Sequence, residues 1–173
     1  MEHQEQYMRR CFDLARLGAG YVAPNPMVGA VVVYQGRIIG EGYHQRHGAA
    51  HAEVNAIDQV SDKDRALLRS ATLYVSLEPC CFHGNTPPCT ALIIRHQIPR
   101  VVISCLDESP QVSGKGVQQL RAAGCEVITG ILESEGRQLS AIRNTFVTQQ
   151  RPYILLKYAQ SADGFIGQSD RQV

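Results

Sequence analysis

The sequence lacks a surplus of charge of either sign: 17 Lys and Arg stand against 16 Asp and Glu, leaving +1 over 173 residues. Binding to a phosphate backbone depends on a clear basic excess, so the balance argues against a nucleic-acid partner. No stretch approaches the ~20 consecutive apolar residues of a membrane-spanning helix, and no membrane partner is expected. The N-terminus, Met1-Glu2-His3-Gln4-Glu5, is polar and acidic and lacks the plan of a secretory signal, so the expected location is cytoplasmic. Internal repeats and low-complexity segments are absent as well. What is present is a hydrophobic content of 44%, enough for a packed core. The length accommodates one complete domain and the edge of a second.

Apolar spacing predicts a helix over Tyr7–Leu17, stopped by Gly18 and Gly20. Val28–Tyr34 and Arg37–Tyr43 read as a hairpin about Gln35-Gly36. Beyond it the chain alternates: helix His51–Val60, a short helix begun by Asp62-Lys63-Asp64-Arg65, strand Thr72–Leu77, helix Thr90–His96, strand Arg100–Cys105, helix Gly116–Ala123. Gly124 follows as a left-handed cap, then strand Cys125–Thr129 and a long helix Leu132–Gln149. Such alternation implies an α/β/α sandwich, three layers with a mixed central sheet whose later strands are parallel and whose opening hairpin is antiparallel. Arg151-Pro152 marks a boundary between a domain of residues 1–150 and a segment 151–173. In that segment Tyr153–Ala159 reads as a strand and Asp163-Gly164 as a turn.

Six cysteines in a reducing compartment do not suggest a disulfide framework. Cys11, Cys105 and Cys125 lie among apolar neighbours and read as small buried core residues. Cys80, Cys81 and Cys89 instead cluster in a Gly/Pro-rich loop with His83. Together with His51-Ala52-Glu53 they offer one imidazole and two thiolates, which suit the mixed nitrogen and sulfur shell of Zn2+. A three-ligand set of His51, Cys80 and Cys89 leaves a fourth position for water, the arrangement of a catalytic site. Glu53 then stands where it can move protons, in the H-x-E…P-C…C order of zinc deaminases. Cys81 and His83 also allow a closed structural site. The order of elements, H-x-E entering a helix, a strand, then E-P-C at the strand end, favours the catalytic reading. Cys80, directly after Pro79, is preferred to Cys81 as ligand.

The spacing Cys80-x8-Cys89 exceeds the C-x-x-C of common nucleoside and nucleic-acid deaminases. The loop Cys80-Cys81-Phe82-His83-Gly84-Asn85-Thr86-Pro87-Pro88-Cys89 joins Asn25-Pro26-Met27-Val28-Gly29, Gly42-Tyr43-His44 and His51-Ala52-Glu53. In that order these motifs resemble the bifunctional deaminase/reductase family of riboflavin biosynthesis, over essentially the whole chain. The resemblance implies a cytidine-deaminase-like fold, with a deaminase domain followed by the first strand of a reductase domain. It implies hydrolytic deamination of 2,5-diamino-6-(5-phosphoribosylamino)pyrimidin-4-one to 5-amino-6-(5-phosphoribosylamino)uracil, a small phosphorylated pyrimidine being the partner. The family's second domain reduces the ribose with NADPH; a chain ending here is expected to deaminate only. By the same resemblance Asn25, His44, His83 and Asp107 contact substrate, and Ala159 borders NADPH but cannot bind it alone.

Two positions depart from the family pattern. Asn85 stands where a basic residue usually precedes Thr-Pro-Pro, and Asp107-Glu108-Ser109-Pro110 replaces Asp-Pro-Asn-Pro. The resemblance places both at the family's substrate surface, so a phosphate-binding cation and an amide would be lost or replaced, and Arg46, Lys115 and Arg95 are candidate substitutes. A tRNA or nucleoside deaminase would share His51, Glu53, Cys80 and Cys89 but calls for the short cysteine spacing. A non-enzymatic zinc module has no need of Glu53. Association into a homo-oligomer is left open.

Overall fold

The computed structural model describes residues 2–83, 87–110, 112–162 and 164–166. A five-stranded sheet has the order β2-β1-β3-β4-β5, built from β1 (Gly29–Tyr34), β2 (Arg37–Tyr43), β3 (Thr72–Leu77), β4 (Arg100–Cys105) and β5 (Glu126–Thr129). β1 runs antiparallel to both β2 and β3, whereas β3, β4 and β5 are parallel. The expected antiparallel hairpin therefore forms one edge of a mixed sheet.

The central strands are apolar without alternation because both faces are covered. Successive side chains still point to opposite sides. Ala30, Val32, Leu73, Val75, Val101 and Ile103 pack on one face with Ile57, Ile93 and Leu120. Those three come from α2 (Ala52–Asp58), α3 (Cys89–Arg95) and α4 (Lys115–Ala122). Val31, Val33, Tyr74 and Val102 meet Met8, Cys11 and Phe12 of α1 (Glu2–Arg16) on the other face. Three layers result, as the alternation implied. Gly124, at φ +86°, occupies the left-handed position after α4.

α2 lies on β2 because two glycines let it approach. A Cβ at Gly40 would fall 2.2 Å from the Ala56 carbonyl oxygen, and one at Gly42 would fall 2.3 Å from the Ala56 nitrogen. Both contacts are with helix backbone, so the closeness is a property of this helix–strand pair.

Some elements differ from the sequence reading. α1 begins near Glu2, earlier than the apolar periodicity indicated. The short charged helix is a 3-10 helix, Asp62–Ser70. Cys125 is only half-buried, its thiol near the Ile98 carbonyl oxygen at 3.4 Å. The single long helix expected over Leu132–Gln149 is two, α5 (Glu133–Leu139) and α6 (Ala141–Gln149). Ser140, at φ −94° and ψ 5°, leaves helical geometry between them. Tyr153–Ala159 forms no strand: residues 151–160 are exposed, and among the described residues no strand lies alongside to accept their backbone hydrogen bonds. Of the expected Asp163-Gly164 turn, Asp163 lies outside the described residues; Gly164 donates to the Ser161 carbonyl oxygen at 2.9 Å. Among the described residues no helix is long and apolar enough to cross a membrane.

Candidate metal centre and substrate pocket

His51 occupies the N-cap position of α2, with φ −73° and ψ 165°, so its ring stands at the helix entrance. The first turn of α2 carries Glu53 inward, leaving the residue 3% exposed. Asn55 secures the helix from the other side, its side-chain amide donating to the Tyr43 carbonyl oxygen at 2.8 Å. Cys80 follows buried Pro79 at the end of β3. Cys89 opens α3 after Pro88, whose extended backbone turns the chain into the helix. Three separate elements thereby deliver three donors to one point.

His51 Nδ1 lies 3.5 Å from Cys80 Sγ and 3.4 Å from Cys89 Sγ. All three donor atoms fall within 4.8 Å of one another. Cys80 Sγ also accepts from the Cys89 backbone N–H at 3.3 Å. The Cys89 hydrogen bond, assisted by His51, draws the Cys80 thiol down to about 4, against burial. Its partner Cys89 is held well above its usual value by the same bond. His51 is raised, chiefly through its bond with Cys80. One nitrogen and two sulfurs, one of them already favoured as thiolate, fit a tetrahedral zinc site with an open position. Cys81 is not part of this converging set.

Burial, reinforced by the neighbouring Cys80 charge, pushes Glu53 up to about 7. A carboxyl that titrates near neutrality can both take and give a proton.

A pocket of about 150 Å³ adjoins the donor set, and its wall includes Asn25, His44, His51, Glu53, Cys80 and Asp107. The structure thus brings together every predicted zinc-site residue except Cys89 around this space, and Cys89 Sγ lies 3.4 Å from His51 Nδ1 in the wall. His44 Nδ1 faces the Ala50 carbonyl oxygen at 3.0 Å and must donate to it. Its Nε2 is then the acceptor for the Asn25 side-chain amide at 3.1 Å. Burial lowers the His44 pKa and so favours this neutral tautomer. Asn25 is accordingly fixed in orientation by a histidine that is itself fixed by backbone. His83, expected at the site by resemblance, is exposed and does not line the pocket. Ala159 is exposed in the extended segment and meets no site. Asn85 lies outside the described residues, and Arg46, Lys115 and Arg95 do not line the pocket.

Two residues in the pocket wall escaped sequence reasoning. Glu78, of the Glu-Pro-Cys turn, is 4% exposed. Its carboxylate accepts from the backbone N–H groups of Asp107 at 3.2 Å, Gly114 at 2.9 Å, Gly116 at 2.9 Å and Val117 at 3.2 Å. It therefore ties the residue before the Pro-Cys ligand turn to the loop carrying Asp107. An acid at the end of an apolar strand was the signal that could have found it. Arg143, on α6, donates to Asp107 at 2.9 Å, and Asp107 also accepts from the Ser109 N–H at 2.7 Å. No motif marked Arg143.

The family model of the cytidine and deoxycytidylate deaminase zinc-binding region matches residues 1–105. The riboflavin biosynthesis protein RibD of Aquifex aeolicus is 52% identical over 163 residues, covering 94% of this chain and 45% of that protein. RibD of Escherichia coli is 45% identical over 163 residues, covering 92% and 42%. A solved structure from Thermotoga maritima, a diaminohydroxyphosphoribosylaminopyrimidine deaminase/5-amino-6-(5-phosphoribosylamino)uracil reductase, superposes with a TM-score of 0.88. It is 51% identical and covers 94% of this chain and 46% of its own. The chain thus spans less than half the length of each of these three relatives.

Proposed function

This chain belongs to the family of the cytidine and deoxycytidylate deaminase zinc-binding region, and from that premise we propose that it hydrolytically deaminates 2,5-diamino-6-(5-phosphoribosylamino)pyrimidin-4-one, giving 5-amino-6-(5-phosphoribosylamino)uracil and ammonia. The observation that carries the reading is one small pocket in which a proton-transferring carboxyl, Glu53, adjoins a His51–Cys80–Cys89 donor set. The resemblance of the Asn25–Gly29 and Cys80–Cys89 motifs to the RibD relatives supports this substrate over cytidine.

His51, Cys80 and Cys89 would hold the zinc. Bound there, the metal supplies Lewis acidity that brings the pKa of water toward neutrality. Glu53 takes a proton from the attacking water and passes it to the ring nitrogen next to the amine-bearing carbon. The carboxyl then moves the hydroxyl proton to the departing amine, so one group serves both half-reactions. Asn25, oriented by His44, presents its amide to the pyrimidine edge, and Asp107, in the same pocket wall, supplies an acceptor. Closing the ring into a buried pocket limits competing water. Residues 1–150 form the deaminase unit; 151–173 lead into a second unit, where the relatives' NADPH-dependent reduction would reside.

Ammonia release from the phosphorylated diaminopyrimidine, tested beside cytidine, dCMP and guanine, examines the reading. Turnover of the diaminopyrimidine is expected, with no comparable rate on the others; preference for any of those three would overturn it.

A further inference from the structure

The pocket beside the donor set is smaller than the roughly 300–1,000 Å³ of sites that enclose a whole drug-sized ligand. At about 150 Å³ it takes the ring but not the ring, ribose and phosphate together. The sugar-phosphate must leave it. A second cavity of about 430 Å³ shares Asn25, Pro26 and Arg143 with the first, so the two meet at these residues. Among the described residues Arg143 is the one lysine or arginine lining either cavity.

We propose that Arg143 binds the substrate's phosphate at this junction, its guanidinium held in place by Asp107. The proposal rests on the functional reading above. The Arg143 side chain is 18% exposed and that of Asp107 7%, so the pair is pinned in the wall rather than swinging in solvent. One N–H, on Nη1, is committed to Asp107 at 2.9 Å. Among the described residues the Arg143 side chain makes no other hydrogen bond, although a guanidinium carries five N–H donors in a planar fork. Asp107 neutralises the charge locally, so recognition depends on the directed fork. Lysine, a point charge, cannot reproduce that geometry. The break at Ser140 contributes by separating α6, which carries Arg143, from α5, which packs on β4.

The test compares ammonia release by wild type, Arg143→Lys and Arg143→Gln on the phosphorylated diaminopyrimidine and on its dephosphorylated riboside. Loss of a charge-assisted contact predicts a KM for the phosphorylated compound raised roughly tenfold to a hundredfold in Arg143→Gln, with kcat within about threefold. KM for the riboside should change far less, by no more than about threefold, because a glutamine amide can still donate to Asp107. Arg143→Lys keeps a cation beside Asp107 and so guards against a folding failure; its KM for the phosphorylated compound should rise several-fold, again with a far smaller change on the riboside. Equal losses on both compounds would overturn the proposal, since Arg143 would then only orient Asp107. An unchanged KM for the phosphorylated compound would overturn it too. Wild type inactive on both compounds would overturn the functional reading and this inference with it, whereas an active wild type with an unaffected variant would refute this inference alone.

Discussion

Replacing Gly42 with alanine places a methyl group between β2 and the helix that carries His51 and Glu53. The new Cβ would sit 2.3 Å from the Ala56 nitrogen and 2.7 Å from both the Ala52 oxygen and the Asn55 carbonyl carbon. These are backbone atoms and cannot rotate aside. Moving the nearest from 2.3 Å to the 3.4 Å of ordinary contact displaces α2 by about 1 Å. Overpacking of this kind costs about 1–3 kcal/mol, which for a chain of this size lowers Tm by roughly 2–12 °C. The catalytic consequence is larger, since a displacement of about 1 Å at reacting groups can cost on the order of a hundredfold in rate. Gly124→Ala is the control. Gly124 has φ +86° and no atom within 4 Å of a built Cβ, so the substitution brings backbone strain far from the site. Thermal unfolding and steady-state ammonia release on both variants, read at temperatures where both are folded, separate the two effects. Gly42→Ala should lose kcat at least tenfold more than Gly124→Ala. Equal kcat in the two would refute the claim that the α2–β2 contact sets the position of Glu53.

Zinc content should fall sharply in Cys89→Ser and stay nearly unchanged in Cys81→Ser; retained metal in the first, or loss in the second, would mean the ligand set is wrong. Glu78→Ala deprives four backbone N–H groups of their acceptor, so chemical denaturation should show a loss of about 3 kcal/mol or more. A loss below about 1 kcal/mol would show that this carboxylate does not hold the Asp107 loop. Burial raises Glu53 from 4.5 to about 7, and a bound dication lowers it, so the acid limb of kcat/KM should fall between these values. Activity should decline as pH drops through that limb, because the carboxylate must be unprotonated to accept the first proton. A profile flat from pH 7.5 down to 4.5 would contradict the role.

The layered fold was legible because its central strands are buried on both faces. Val-Val-Val-Tyr at 31–34, Leu-Tyr-Val at 73–75 and Val-Val-Ile at 101–103 announce themselves without any need of alternation. The metal centre was legible because zinc restricts donor types, and because His51, Cys80 and Cys89 each sit at the end of an element whose start or stop has its own signal. The lost strand at Tyr153–Ala159 shows the limit of that logic. Its residues have strand composition, yet a ladder needs a neighbour, and composition does not supply one. Ser140 broke a pattern that periodicity joined, since one non-helical residue barely disturbs a count of apolar positions. Arg143 and Glu78 act through partners more than 30 residues away, Asp107 for the first and Gly114, Gly116 and Val117 for the second. Only the folded chain reveals such pairings.

The role proposed for Glu53 is to move the protons of a zinc-dependent deamination. Glu53→Gln keeps the side chain's shape and removes its ability to shuttle a proton. Zinc content, KM and kcat for ammonia release from the phosphorylated diaminopyrimidine should therefore be measured on one preparation of this variant. Full zinc occupancy is expected, with KM within a few-fold of wild type and kcat lower by roughly a hundred- to ten-thousand-fold; full occupancy with near wild-type ammonia release would contradict that role.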